Sequence, residues 1–298
     1  MALATVTRLE RQGRYAWLAV EAPELAALRP RGAAPVLKVF IAPRPGDVPA
    51  LPTFSPTYLP SWPSESERPT VRSYTAVDYR AADARIEFLA FDPGAGSWWV
   101  DRLSLGDPLG VIGFKHELVL DDESRLVVAV GDRSGAGGIA ALSRQLPGNV
   151  ALHVVVPESD WPLEVLAARD GLTVQRARTD HLGFPVVDWS DVAASSEAPA
   201  SATSVWLAGE VTPVAALRGE AIAAGVSPTR IVAQPYWRAG QARDEFDAAL
   251  SVRYRDAAAR GVDIQDPVVA ADLELRWPAP DLVQPQTLDT PREDGADA

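Results

Sequence analysis

The chain has 298 residues, 47% of them hydrophobic, no cysteine and a formal net charge of −12. That is enough apolar material for one large domain or two ordinary ones, and the lack of cysteine excludes disulfides, thiolate zinc sites, cysteine nucleophiles and cysteine-ligated iron–sulfur clusters. The acidic balance argues against a broad nucleic-acid surface, which needs a basic face to displace counterions. No stretch approaches the roughly 18 uninterrupted apolar residues of a membrane span, so membrane insertion is not expected and a cytoplasmic location is. The histidines, His116, His153 and His181, show no paired metal spacing, and no metal site is expected.

The first part of the chain is a series of short β-like runs broken by proline and glycine: Ala4–Arg8, Tyr15–Val20, Val36–Ile41, Val71–Tyr79 and Arg85–Phe91. Several alternate apolar and polar residues, the mark of half-buried antiparallel strands, and a small barrel closes such a set naturally. Between them, Pro43–Pro69 is rich in proline and serine and reads as a long surface excursion without an element of its own.

The pattern changes after Glu117. Leu126–Val130 and Val150–Val156 are continuous apolar runs separated by a helical stretch, Gly138–Leu146, and Ser204–Ala208 and Arg230–Ala233 continue the series. Apolar strands alternating with helices indicate a parallel sheet covered on both faces. Thr212 is the expected N-cap of a helix beginning at Pro213 and ending before Gly225. Gln241–Arg260 reads as a terminal amphipathic helix and Asp191–Ala202 as a surface connection. The expected organisation is a barrel domain over 1–117, an α/β domain over 118–277 and a disordered tail over 278–298.

Four adjacent residues carry the sharpest chemical signal. Arg72-Ser73-Tyr74-Thr75 puts an arginine, an aromatic ring and hydroxyls on one predicted barrel strand, which can serve the pyrophosphate, the isoalloxazine and the reactive nitrogen of a flavin. The same residues also suit an ordinary strand with a surface arginine and a core tyrosine. Gly94–Ser97 (Gly94, Ala95, Gly96, Ser97) forms a Gly/Ser turn that opens a helix, an arrangement that suits a pyrophosphate. At the carboxyl ends of the parallel strands lie Gly131, Asp132, Arg133, Ser134, Gly209 and Glu210, where doubly wound sheets bind ligands; the glycines equally suit tight turns. Trp98 and Trp99 read as packing residues.

These segments, in this order, resemble the siderophore-interacting family of flavin reductases, a branch of the ferredoxin-reductase superfamily. Arg72-Ser73-Tyr74-Thr75 resembles its Arg-x-Tyr-Thr signature and Asp92–Trp99 its Gly-Asp-x-Gly-Pro-Ala-Ser-x-Trp stretch. Gly131-Asp132 resembles its Gly-Asp-Glu-Thr turn, Trp206-Leu207-Ala208-Gly209-Glu210 its strand end, and Tyr236-Trp237-Arg238-Ala239-Gly240 its Tyr-Trp-Arg-x-Gly segment. The resemblance implies an antiparallel flavin-binding β-barrel followed by a doubly wound parallel-sheet nucleotide-binding domain. FAD would be held by Arg72, Ser73, Tyr74, Thr75, the 94–97 turn and Trp237, and NAD(P)H or a ferredoxin would be the donor. A ferric siderophore would be met by Lys115, Tyr236 and Arg238. It implies electron transfer without a protein acid, base or metal ligand. The chain departs from the family pattern at Val77, Ala90-Phe91, Ala95, Arg133-Ser134 and Gly113-Phe114. Two other readings accompany it, a member that has lost its flavin and acts as an accessory protein, and a flavin reductase with a different acceptor.

Overall fold

The computed structural model of the chain describes residues 1–54, 60–62, 64, 68–91, 98–115, 117–194 and 198–275. Six antiparallel strands close a barrel in the order β1 (Ala2–Gln12), β2 (Tyr15–Glu21), β7 (Arg85–Phe91), β6 (Thr70–Arg80), β3 (Val36–Ile41) and β8 (Pro108–Lys115). Their alternation is the expected one: the first six residues of β1 are buried and exposed in turn, which follows from the two-residue period of a strand with one face on the core. Leu18, Leu37, Val39, Ile86, Phe88 and Val111 fill the interior, and the short helix α1 (Trp98–Arg102) adds Trp99 to it. The proline-rich excursion is not featureless. Thr53–Phe54 (β4) pairs with Pro60–Ser61 (β5), too short a ladder to leave a periodic signal.

The second half is a five-stranded parallel sheet ordered β11 (Leu172–Ala177), β10 (Ala151–Pro157), β9 (Leu126–Gly131), β12 (Thr203–Glu210) and β13 (Ile231–Trp237). Every residue of β9 and β12 is buried, because helices and the barrel cover both faces. On one face the helix α2 (Ala136–Gln145) packs with Trp206 and the barrel residues Tyr15, Val77 and Leu89. The other face packs against α3 (Trp189–Ala194), α4 (Val211–Ala223) and α6 (Pro267–Leu275). α5 (Arg243–Ala259) lies between α4 and α6 in the chain.

Four further features differ from the sequence reading. β11 is mostly exposed, has no buried apolar run and sits at the sheet edge, so it gave no strand signal. α6 follows the expected terminal helix as an additional element, and α3 occupies part of the expected surface connection. The cap of α4 is Glu210, whose carboxylate accepts from the Thr212 amide, so Pro213 falls at the third helical position. Proline is tolerated there because the first-turn amides have no intrahelical partner.

The Gly135–Gly138 stretch serves packing. A Cβ on Gly138 would lie 2.1 Å from the Trp206 ring, so only glycine lets α2 sit this close to β12. Gly138→Ala should therefore lower stability by about 1–3 kcal/mol, read from the denaturant midpoint. Gly148→Ala, where an added Cβ meets nothing within 4 Å, should stay within roughly 0.5 kcal/mol of the parent.

Candidate functional site

The barrel ladder is incomplete where the signature residues lie. β3 pairs with β6 along Thr70–Thr75, but β7 pairs with β6 only from Ala76 to Arg80. The end of β7, through Phe91, pairs with β2 instead. Among the described residues, the β7-side edge of Thr70–Thr75 therefore has no ladder partner, and the start of β6 diverges from the end of β7. Side chains alternate along this edge. Arg72 and Tyr74 share the face turned to the barrel core, while Ser73 and Thr75 share the other. All four are at least partly covered, Thr75 almost completely.

Tyr74 stacks on Phe88 with ring centroids 5.1 Å apart and meets the edge of Trp99, whose indole Nε1 donates to the Tyr74 hydroxyl at 3.1 Å. Arg72 donates from Nη1 to the Val71 carbonyl at 2.8 Å. On the opposite face, the Thr75 hydroxyl lies 2.8 Å from that of Tyr236 at the end of β13. The expected pyrophosphate turn, Gly94, Ala95, Gly96 and Ser97, and also His116, lie outside the described residues.

Several polar contacts fix this edge against the α/β half. The Gln145 amide at the end of α2 accepts from the Ala34 N–H at 2.7 Å and donates to the Ala76 and Val77 carbonyls at 2.9 and 3.0 Å. Tyr15 donates its hydroxyl to Glu164 at 2.9 Å. Burial and that carboxylate together push the Tyr15 hydroxyl up to about 12.

The strand-end residues converge on one buried carboxylate. Asp132 accepts from the Ser134 amide (2.8 Å) and hydroxyl (2.5 Å), from the Glu210 amide (3.0 Å) and from the Trp237 indole (2.8 Å). Burial pushes its pKa up, and these donors oppose that by holding the charged form. Gly209, at φ 151°, lies so close that a Cβ would come 2.4 Å from the carboxylate. Glu210 accepts from the amides of Thr212 (2.6 Å) and Ala239 (3.1 Å). Gly131 and Ala208 are in register, so the carboxyl ends of β9 and β12 meet at the point where successive connections leave in opposite directions. Arg133 turns outward to an ion pair with the exposed Asp160.

Lys115 lies 4.0 Å from Glu274 on α6, which also accepts from the Tyr254 hydroxyl at 3.1 Å. Arg253 donates to the Leu273 carbonyl, and burial, followed by the like charge of Arg238, lowers its pKa. The C-terminal helices thus add Arg253, Tyr254 and Glu274 to the neighbourhood of Lys115 and Arg238. His153 is held by Thr173 and Gln175 on the neighbouring edge strand, at 2.8 and 3.1 Å.

Residues 14–117 match the siderophore-interacting FAD-binding domain and residues 124–240 the siderophore-interacting protein. The chain belongs to the siderophore-interacting protein family. Its barrel and parallel sheet are the ferredoxin-reductase-like arrangement of that family. It is 29% identical over 187 residues to the NADPH-dependent ferric-chelate reductase of Escherichia coli (strain K12), covering 60% of this chain and 70% of that protein. Among solved structures it is similar to the siderophore-interacting protein SipS from Aeromonas hydrophila, at 20% identity and a TM-score of 0.61, covering 87% of this chain and 98% of that one. A siderophore utilization protein from T. fusca aligns at 21% identity and a TM-score of 0.57, covering 81% and 94%.

The structure of this family member brings Thr75 together with Tyr236, and Asp132 with Ser134, Gly209, Glu210 and Trp237. It does not bring Trp237 to Tyr74, because the indole is held by Asp132. Sequence reasoning missed Gln145, Asp160, Arg253 and Glu274. Each acts through a partner distant in the chain and carries no local pattern. Asp132→Ala would leave the Glu210 amide and the Trp237 indole without an acceptor in the interior. It should cost about 2–4 kcal/mol in chemical unfolding, whereas Arg133→Ala, which removes only an exposed pair, should cost no more than about 1 kcal/mol.

Proposed function

We propose that this protein is an FAD-dependent ferric-siderophore reductase that draws electrons from NAD(P)H or a reduced ferredoxin. The observation that carries this reading is the edge of β6 at Thr70–Thr75, along which β7, among the described residues, does not continue the ladder. A planar ring lying along a strand edge can touch side chains from both faces of the strand. Arg72, Tyr74 and Thr75 supply a cation, an aromatic surface and a hydroxyl there, and this donor set suits FAD. The family match and the ferric-chelate reductase named as a relative support the same reading.

In this reading residues 1–117 hold the flavin, residues 118–277 form the donor side, and the protein works in the cytoplasm. Arg72 meets the pyrophosphate together with the 94–97 turn, Tyr74 borders the isoalloxazine, Ser73 lines the strand, and the Thr75 hydroxyl faces a ring nitrogen. Trp237 closes the donor end of the crevice. Bound FAD would supply the conversion of a two-electron donor into single electrons for ferric iron, which leaves its chelate more readily once ferrous. The protein contributes orientation and exclusion of water.

A nicotinamide nucleotide would lie across Gly131–Ser134 and Gly209–Glu210. Arg133 can exchange Asp160 for a phosphate at little cost, since exposed ion pairs contribute only about 0–1 kcal/mol. Its guanidinium fork suits phosphate. An anionic ferric siderophore would be drawn by Lys115 and Arg238, with Tyr236 beside them. The changes at Ala90-Phe91 and Ala95, together with the covered Thr75 hydroxyl, favour a second reading in which the protein binds no flavin and acts as an accessory.

The FAD-loaded protein, reduced without air and mixed with a ferric siderophore, should release iron to a ferrous-specific chelator. It should do so faster with ferric chelates than it reduces free flavin or quinones. Absence of ferrous iron would reject the reductase reading. Arg72→Ala should weaken FAD binding by roughly 1.5–3 kcal/mol, measured by titration with the cofactor. Arg133→Glu should raise the KM for NADPH more than that for NADH if a 2′-phosphate is its partner, and should leave kcat nearly unchanged.

A further inference from the structure

The Thr75–Tyr236 contact joins the proposed flavin edge to the opposite half of the molecule through two hydroxyls. Thr75 is 3% exposed and faces β13, and Tyr236 packs into the apolar cluster between barrel and sheet. The neighbouring Trp237 is tied to Asp132 at 2.8 Å, so the backbone that carries Tyr236 is anchored and its ring has little freedom. The remaining freedom lies in rotation of the O–H bonds, which can reverse without moving a heavy atom.

Each hydroxyl has one donor and two acceptor sites. When Tyr236 donates to Thr75, the hydrogen of Thr75 is released to donate to a third atom. When Thr75 donates to Tyr236, a lone pair of Thr75 is left to accept from that atom. The pair can therefore present either a donor or an acceptor from one fixed oxygen. A ligand atom that accepts a hydrogen bond in one redox state and carries a hydrogen in the other, as the central nitrogen of a flavin does, is matched in both. A lone buried threonine would need another partner to do this, because an unmet hydroxyl is costly in the interior.

We infer that Tyr236 is a positioning residue for the flavin, acting through Thr75, and that this hydroxyl pair adjusts the relative affinity for oxidised and reduced FAD. This rests on the flavin-reductase reading above. It moves Tyr236 from contact with the siderophore to the electron-transfer edge itself, and it links the strand-end cluster at Asp132 to that edge through Trp237.

The test measures binding of oxidised and reduced FAD, and the visible spectrum of the bound flavin, in wild type, Tyr236→Phe, Thr75→Val, Thr75→Ser and the Tyr236→Phe/Thr75→Val double variant. Tyr236→Phe and Thr75→Val should each change the ratio of the two affinities by about fivefold, the effect of one hydrogen bond, and shift the spectrum. The double variant should go no further than the Thr75→Val single variant, and Thr75→Ser should retain wild-type values. Thermal unfolding of the flavin-free proteins provides a second readout. There the two single substitutions should be non-additive, as expected for groups in direct contact. Wild type that takes up no FAD overturns both the functional reading and this inference. Wild type that binds FAD, with Tyr236→Phe and Thr75→Val matching it in affinity ratio and spectrum, overturns this inference alone.

Discussion

A carboxylate removed from water is tolerated only where donors surround it, and Asp132 meets that requirement by drawing on three strand ends at once. Ser134 supplies the turn after β9, the Glu210 amide supplies the end of β12, and the Trp237 indole supplies the end of β13. The need to satisfy one charge therefore fixes how these three strands finish. It also explains Gly209, since a side chain there would collide with the carboxylate. The consequences extend beyond the cluster. Because Trp237 is held by Asp132, Tyr236 is carried to the barrel, where its hydroxyl meets Thr75.

The barrel depends on that docking in a second way. β6 joins β7 from Ala76 onward, and among the described strands its preceding residues Thr70–Thr75 ladder with β3. Unpaired backbone groups at a strand edge ordinarily need covering. Here α2 and β13 approach from the other half, with Gln145 accepting from Ala34 and donating to the carbonyls of Ala76 and Val77. The opening in the ladder stops where Gln145 begins to clamp the strand. Packing between the halves thus holds β6 from Ala76 onward, while Arg72, Tyr74 and Thr75 lie on the stretch that β7 does not pair.

Much of this architecture can be read from residue patterns, because the signals were local. Short β-like runs, several of them alternating, marked β1, β2, β3, β6 and β7, and the buried runs of β9, β10 and β12 marked a parallel sheet covered on both faces. The order of the Arg-x-Tyr-Thr, Gly-Asp, Trp-Leu-Ala-Gly-Glu and Tyr-Trp-Arg-x-Gly segments carried the family. What escaped depended on distance. β11 is an edge strand with exposed residues, and α6 has no strong amphipathic pattern. Gln145 reads as an ordinary helix-surface residue until the barrel is placed beside it. Tyr236 and Trp237 are recognisable as a pair, but their division of labour, one toward Thr75 and the other toward Asp132, follows from which way alternate side chains of β13 point. Arg133 reads in the sequence as a cation at a ligand-binding strand end, and its pairing with Asp160 required the fold.

The central claim is that the edge of β6 at Thr70–Thr75 is a flavin site. The most direct measurement is the visible absorbance of the purified full-length protein after incubation with FAD and removal of the unbound cofactor. The account predicts a yellow protein carrying close to one FAD per chain, with spectral bands displaced from those of free flavin and with the bound amount sharply reduced in Arg72→Ala. A colourless protein after that treatment, or equal uptake by wild type and Arg72→Ala, would contradict it.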